Sequence, residues 1–402
     1  MKKKLVILSS ISAACLGAIG VGAAYKATDG MLFAGAASGD VWVHYAKKAA
    51  TKTEKGIREY WVNCQTNEHV FVAPTGGTIQ EGAQYNTSGF TEDDDRWILP
   101  VSLTAQDVVM TAQKKALNLG AYAGGVISSI KAGSFDLGVD ASNLDVSKFA
   151  SNHKDDGFYT VEVETVKDDK AYAIYADTTF VTAMISSKED FLSYCAPEEG
   201  VSKFGYYKLA TDLNLRGAVT YCSGDFETDY FGGTFDGNGK TVTASSDQTN
   251  GLFGNLRFAT LKNLNIKDIW NNGGKYVSLL GRSVYQCQLI NVTTKLTGAT
   301  SGLEAGGAKN PEATNGASYF AWNTFQSNTL IDCVFDASGF KIGSLFGCGR
   351  NMTPPTVTNT IIKAASLTQA MHSDHTKATY QPENVELKEG EIAIKGLTFV
   401  KA

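Results

Sequence analysis

Four segments in the second half of the chain carry one pattern. They are Gly251-Leu252-Phe253-Gly254 with Leu261-Lys262-Asn263-Leu264-Asn265-Ile266, Ser278-Leu279-Leu280-Gly281 with Leu289-Ile290-Asn291-Val292-Thr293-Thr294, Ser318-Tyr319-Phe320-Ala321 with Leu330-Ile331-Asp332-Cys333-Val334-Phe335, and Ser344-Leu345-Phe346-Gly347 with Val357-Thr358-Asn359-Thr360-Ile361-Ile362. Repetition on this scale marks stacked architectures, because a single copy cannot bury its own apolar face. Aligned on Asn263, Asn291, Asp332 and Asn359, the copies fall into columns. Leu261, Leu289, Leu330 and Val357 stand two before, Leu264, Val292, Cys333 and Thr360 one after, and Ile266, Thr294, Phe335 and Ile362 three after. Such columns place like side chains above one another at strand spacing, and the amide column is set to hydrogen-bond along the stack at a turn.

The landmarks Gly254, Gly281, Ala321 and Gly347 lie 27, 40 and 26 residues apart. The long interval holds Thr297 to Gly316, a small and polar stretch with nothing to pack, and is expected to be an excursion that carries binding or a plain insertion. Glycine at 41 and proline at 7, with many Thr, Tyr and Phe, favour strands and turns over helices. A net charge of −5 argues for neither nucleic acid nor an anionic membrane as partner.

The chain opens with Lys2, Lys3 and Lys4, continues through an apolar run from Leu5 to Gly22, and reaches small residues before Tyr25. These are the parts of a secretory signal peptide over 1–24, with cleavage expected near Ala23 and Ala24 and a linker over 25–39. The alternative is a lipoprotein anchored through Cys15. No membrane span is expected after cleavage, and the location is secreted or the extracellular cell surface. Outside the cell the remaining cysteines are permitted to pair. They are expected to be mostly buried thiols, with Cys195 and Cys222 the first pair to test.

The expected fold class is all-β. A small β module at 40–102 and a β-rich, immunoglobulin-like domain at 103–184 precede a short right-handed parallel β-helix at 185–365, with a C-terminal segment or cap strand at 366–402. Residues 103–118 are the best helix candidate of the middle region, and Lys167-Asp168-Asp169-Lys170 is a hairpin turn by composition. Ser186 to Leu192 reads as a capped turn or short helix, and the alternation from Glu391 to Val400 as a last strand closing the stack.

Gly233-Thr234-Phe235-Asp236-Gly237-Asn238-Gly239, followed by Gly251-Leu252-Phe253-Gly254 and Leu261 to Ile266, resembles the GLUG-type repeat of bacterial cell-surface proteins and adhesins. The later copies depart from it, with Ala321 in place of Gly. The 40–102 module is similar, through Glu59-Tyr60-Trp61, Cys64 and Asp94-Asp95-Arg96, to small repeats of secreted Firmicutes proteins. The resemblance implies an exported, non-catalytic scaffold or adhesin-like binder of a glycan or protein ligand; a monomer is expected.

The alternative is a carbohydrate-active β-helix enzyme, a polysaccharide lyase or glycosidase, which needs converging carboxylates. Asp225, Glu227, Asp229 and Asp236 are the nearest to such a set, but turn chemistry accounts for Asp236. No catalytic residue is assigned. His44, Cys64 and His69 are donors zinc accepts, without a fourth; Glu92-Asp93-Asp94-Asp95 lacks the spacing of a calcium loop; His372 and His375 sit in a polar tail. No metal and no cofactor are expected. Tyr319, Phe320, Trp322 and Phe325 read mainly as core, while Trp270 with Asn271 and Asn272, on a predicted turn, is the candidate for stacking on sugar.

Overall fold

A computed structural model describes residues 39–82, 84–87, 90–222, 227–245, 250–271, 278–300, 320–346, 351–369 and 394–402. The predicted signal segment, the Cys15 anchor, Ala23, Ala24, Asn272, Asp225, Tyr319, Cys348, His372 and His375 lie outside the described residues, as do 301–316 of the excursion. The described chain is mostly strand, with Lys188–Tyr194 its α-helix. It divides into two compact units: Met1–Gln106, Lys114–Lys148 and Tyr159–Thr178 form one, and Asp107–Gln113, Phe149–Phe158 and Thr179–Ala402 the other.

The first unit is built on two sheets. In one, His69–Val70, Tyr60–Asn63, Val41–Tyr45 and Thr78–Glu81 lie side by side, antiparallel except for the last pair, which is parallel. Its core is Val43, Tyr45, Ile57 and Tyr60, with Tyr45 stacked on Tyr60 at 5.0 Å. The other sheet runs Gly56–Ile57, Trp97–Val109, Lys170–Val181, Gly157–Lys167, Val126–Ala132, Phe135–Asp136. The expected hairpin is present: Asp168 and Asp169 both take left-handed backbone, φ 50° and 60°, the pairing a two-residue turn between twisted strands requires.

Two expectations fail here. Residues 103–118 are not a helix: Leu103 to Val109 extend the strand begun at Trp97, so the expected boundary at 102 falls inside that strand. The apolar spacing gave a helix no continuous stripe to bury, whereas Val101, Val108 and Val109 suit a strand. Beyond it the backbone of Asn118 is held by the side chain of Gln106, whose Oε1 accepts from Asn118 N at 2.8 Å. The immunoglobulin-like sandwich is not formed either, because the long strands of this region line up in one sheet through adjacent pairings instead of splitting into two.

The second unit holds a twelve-stranded sheet whose main path is Ala183–Ile185, Tyr206–Leu209, Thr234–Asp236, Thr260–Asn271, Gln288–Thr300, Val334–Ser344, Thr360–Gln369, Leu397–Lys401. A four-stranded sheet, Asn255–Arg257, Gly281–Tyr285, Ala321–Gln326, Asn351–Met352, accompanies it. The resolved pairings in both are parallel, and successive repeats supply successive strands. The columns match the register: Phe235, Leu261, Leu289, Leu330 and Val357 are partners in turn, as are Ile266 with Thr294, Thr294 with Phe335, and Phe335 with Ile362. All lie in one continuous apolar core except Thr294, which is buried as well. Leu397–Lys401 pairs on Thr360–Ala364 and takes the last place on the path, as the alternation near the C-terminus implied.

The repeat's small residues are fixed by contact. A Cβ on Gly281 would lie 2.6 Å from the Gly254 carbonyl oxygen, and Gly251 has φ 62° with the Leu280–Gly281 peptide equally close. Ala321 pairs with Gly281 in this column, and the register shifts just beyond, between Gly281 and Ser283. Buried asparagines clip neighbouring strands together: Asn328 Oδ1 accepts from Cys287 N at 2.8 Å while its Nδ2 donates to the Val284 carbonyl at 3.0 Å. At the start of the unit, Ser187 caps the helix by accepting from Asp190 N, and the Asp190 carboxylate accepts from Ser187 N in return.

Candidate functional site

Three of the four strands of this sheet end at a left-handed residue: Phe258, Gln286 and Ser327 have φ 59°, 52° and 54°. Backbone bonds tie these corners in series, Phe258 N donating to Tyr285 O at 3.0 Å and Gln286 N to Gln326 O at 2.9 Å. Around the corner of Phe258 the outer surface carries a row of rings. Phe204 meets Tyr230 edge-on at 5.7 Å, Tyr230 meets Phe258 at 6.4 Å, and Phe258 meets Tyr285 at 6.1 Å. The Arg257 guanidinium lies over three of them, 5.6 Å from Tyr230, 5.0 Å from Phe258 and 5.6 Å from Tyr285. Glu227 stands 4.0 Å from Arg257, and Lys154 covers Phe204 at 4.5 Å. Gly232 permits the row, since a Cβ there would meet the Phe204 and Tyr230 rings at 2.8 and 2.9 Å.

Phe258 is 51 % exposed, and its backbone is one that bulky L residues avoid. Past the corner the chain enters the large sheet, where side chains alternate in and out. The inward positions are Phe235, Leu261, Leu289, Leu330 and Val357. The outward positions just before them are Thr234, Thr260, Gln288, Thr329 and Thr356, aligned strand on strand. A row of rings and a row of hydroxyl and amide groups thus flank one edge of the stack, repeating at about 4.8 Å per strand.

No family model, curated protein or solved structure matches the chain.

The amide column forms the opposite corner. Asn263, Asn291, Asp332 and Asn359 all have left-handed backbone, φ 49°, 53°, 52° and 45°. Asn263 Nδ2 donates to Asp236 Oδ1 at 3.2 Å, Asn291 Nδ2 to Asn263 Oδ1 at 3.1 Å, and Asn359 Nδ2 to Asp332 Oδ1 at 2.7 Å. Asp236 starts this ladder. Burial pushes its carboxyl up, but donors from Asn238 N, Tyr206 Oη and Asn263, with Lys262 at 3.6 Å, hold it below the usual range. It is a structural anion. Asp229 is buried and accepts from Gly200 N at 2.6 Å, and Glu227 faces Arg257. Each of these carboxylates is engaged by its own partners.

Other predicted sites change as follows. Trp270 and Asn271 end the strand Thr260–Asn271, paired with Ala299 and Thr300, and do not sit on a turn. The strand runs on because its neighbour Gln288–Thr300 continues to supply ladder partners past a bulge at Asp268 and Ile269. Cys195 and Cys222 are thiols, not a disulfide. Cys195 is fully buried at the helix end, where desolvation drives its acidity far down, while the Cys222 thiol turns to Asn255 Oδ1 at 3.3 Å. Phe320 and Phe325 are core, as expected.

In the first unit the histidines that zinc would accept have separate roles. His44 lies between two carboxylates, Nδ1 2.7 Å from Glu81 Oε2 and Nε2 2.6 Å from Glu59 Oε1, over the Trp61 ring at 4.8 Å. His69 packs beside Tyr60. Among the described residues no group of three or more His, Cys, Asp or Glu is placed to hold a metal. The acidic run is spent on ion pairs, Glu92 to Lys55 at 2.5 Å and Asp94 to Arg96. A polar cleft of about 390 Å³ opens on the larger sheet, lined by Lys47, Ser129, Lys131, Thr160, Glu162 and Glu164 among others. Lys47 is in direct contact with Glu164 there.

The rings at Phe204, Tyr230, Phe258 and Tyr285 escaped the sequence reading. An aromatic just ahead of the aligned leucine in two successive repeats, Phe258 before Leu261 and Tyr285 before Leu289, was the available signal.

Proposed function

We propose that the second unit is a short right-handed parallel β-helix of the GLUG-like kind, carried by an exported protein as a non-catalytic binding scaffold. Its ligand is an extended glycan laid along the stack. Sugars offer apolar C–H faces to rings and hydroxyls to polar groups, and the ring row beside the Thr and Gln row matches both. The repeat of about 4.8 Å along the stack suits a chain of similar subunits better than a compact ligand.

One observation carries the reading: Phe258, half exposed, is kept in a left-handed conformation where Asn or Gly would be at ease. An outlier of this kind is a pointer to function, because stability alone does not select it. Asp229 and Asp236 are held by donors of the scaffold itself, which favours binding over the enzymatic alternative.

Titration calorimetry of the full chain against neutral and acidic linear polysaccharides tests the proposal. Binding to at least one of them, weakened at least about tenfold by Tyr285→Ala, which is about 1.4 kcal/mol, is the expected result. Chain cleavage of the polysaccharide during the titration would favour the enzyme.

A further inference from the structure

On the footing of the glycan site proposed above, we infer that its ligand is acidic: a polyuronate whose carboxylates are taken by Arg257 and Lys154. In the four-stranded sheet Arg257 pairs with Tyr285, and Tyr285 with Gln326. Their neighbours Leu256, Val284 and Phe325 lie in the core, so these three side chains form one outward column. The column extends backwards through the bridges of Phe231, to Leu256 on one side and Lys203 on the other, which put Phe204 two strands before Arg257. Phe258, Gln286 and Ser327 follow at the corners beside it. The early end of this surface is therefore aromatic with cations over its rings, and the late end is neutral amide and hydroxyl.

A guanidinium packed on rings, as Arg257 is on Tyr230, Phe258 and Tyr285, keeps a planar fork of N–H groups at its rim, the shape that takes a carboxylate through two parallel bonds. Glu227 stands 4.0 Å away, beyond hydrogen-bond distance, and its side chain is 69 % exposed against 20 % for Arg257. It is a loose counter-ion that a ligand carboxylate can replace. Other acids near the row are committed: Glu198 pairs with Lys203 at 2.5 Å, and Asp229 is buried and accepts from Gly200 N. Lys154 belongs to the same unit as the row and lies over Phe204 at 4.5 Å. Its own turn holds it there. His153, at φ 60°, has Nδ1 2.9 Å from Asp156 Oδ2, and that buried carboxylate accepts from Thr182 Oγ1 at 2.6 Å. The rings under the two cations start two strands apart, roughly 10 Å along the stack. That is more than one sugar spans, so a chain of uronates serves both where a single one cannot.

The test is calorimetry of the full chain against polygalacturonate and against the same polymer with its carboxyls reduced to alcohols, which keeps the ring faces and removes the charge. The expected result is native polymer bound at least about tenfold more tightly, the worth of one charge-assisted pair, with the advantage shrinking as salt is raised. Arg257→Gln brings the ratio of the two affinities close to one. Lys154→Ala, which changes an exposed side chain and leaves the core intact, lowers it by about two- to fivefold. Reduced polymer bound as tightly as native would overturn the acidic ligand and leave the glycan site standing, as would an Arg257→Gln chain that keeps the full preference. Binding of neither polymer would overturn both.

Discussion

Asn291 Nδ2 donates to Asn263 Oδ1 at 3.1 Å from one strand to the next, and both residues hold left-handed backbone at φ 53° and 49°. One side-chain type thus meets two demands, tolerance of a tight corner and a donor and acceptor aimed along the stack. Asn291→Ala loses both. The expected cost is about 1–2 kcal/mol, combining a partly exposed hydrogen bond with the left-handed backbone. Asn291→Gly, which keeps the corner, should cost less. Denaturant midpoints of the two variants check the order.

The close approach at Gly281 predicts a sharper effect. Its Cβ would press on the Gly254 carbonyl at 2.6 Å, and backbone cannot swing aside as a side chain can. Gly281→Ala should lower stability by about 1–3 kcal/mol. Gly76, which has open space and an ordinary φ, is the control: Gly76→Ala should be neutral or gain up to about 1 kcal/mol. Thermal unfolding of the pair separates local crowding from a general dislike of alanine.

The pH dependence follows from His44. Burial lowers its affinity for a proton, but hydrogen bonds and charge from Glu81 and Glu59 outweigh this, so its pKa is raised in the folded chain. A raised folded value means stability that is fully present below the unfolded value of about 6.5 and is lost as pH rises through the folded one. His44→Asn should flatten this neutral-range decline in denaturant midpoint. Asp236 has the opposite sign. Its depressed pKa gives stability present above the usual carboxylate range and lost as pH falls through the folded value, and Asp236→Asn should blunt that acid loss.

The repeat was legible because its information is local and periodic: inward leucines, corner amides and close-approach glycines each announce themselves by residue type at a fixed offset. The hairpin at Asp168 and Asp169 and the capping box at Ser187 and Asp190 were legible for the same reason. The helix expected at 103–118 was not, because a ragged apolar pattern over one segment cannot show that Trp97–Val109 lies beside Lys170–Val181 in a sheet. Nor was the ring row. Phe204 and Tyr230 lie outside the four copies, and only folding brings them beside Phe258 and Tyr285. Trp270 failed as a turn residue because the partner strand's length, set elsewhere in the chain, decides where Thr260–Asn271 ends.

Phe258→Asn, followed in both binding and stability, separates the two effects of the half-exposed ring at the left-handed corner, which is kept for binding at a cost to stability. Asn accepts the corner and recovers part of the roughly 1–2 kcal/mol that left-handed backbone costs an ordinary residue. The expected variant is as stable as wild type or more so, with polysaccharide affinity reduced at least about tenfold, about 1.4 kcal/mol. A variant that binds as wild type does, whatever its stability, would contradict a binding role for the ring.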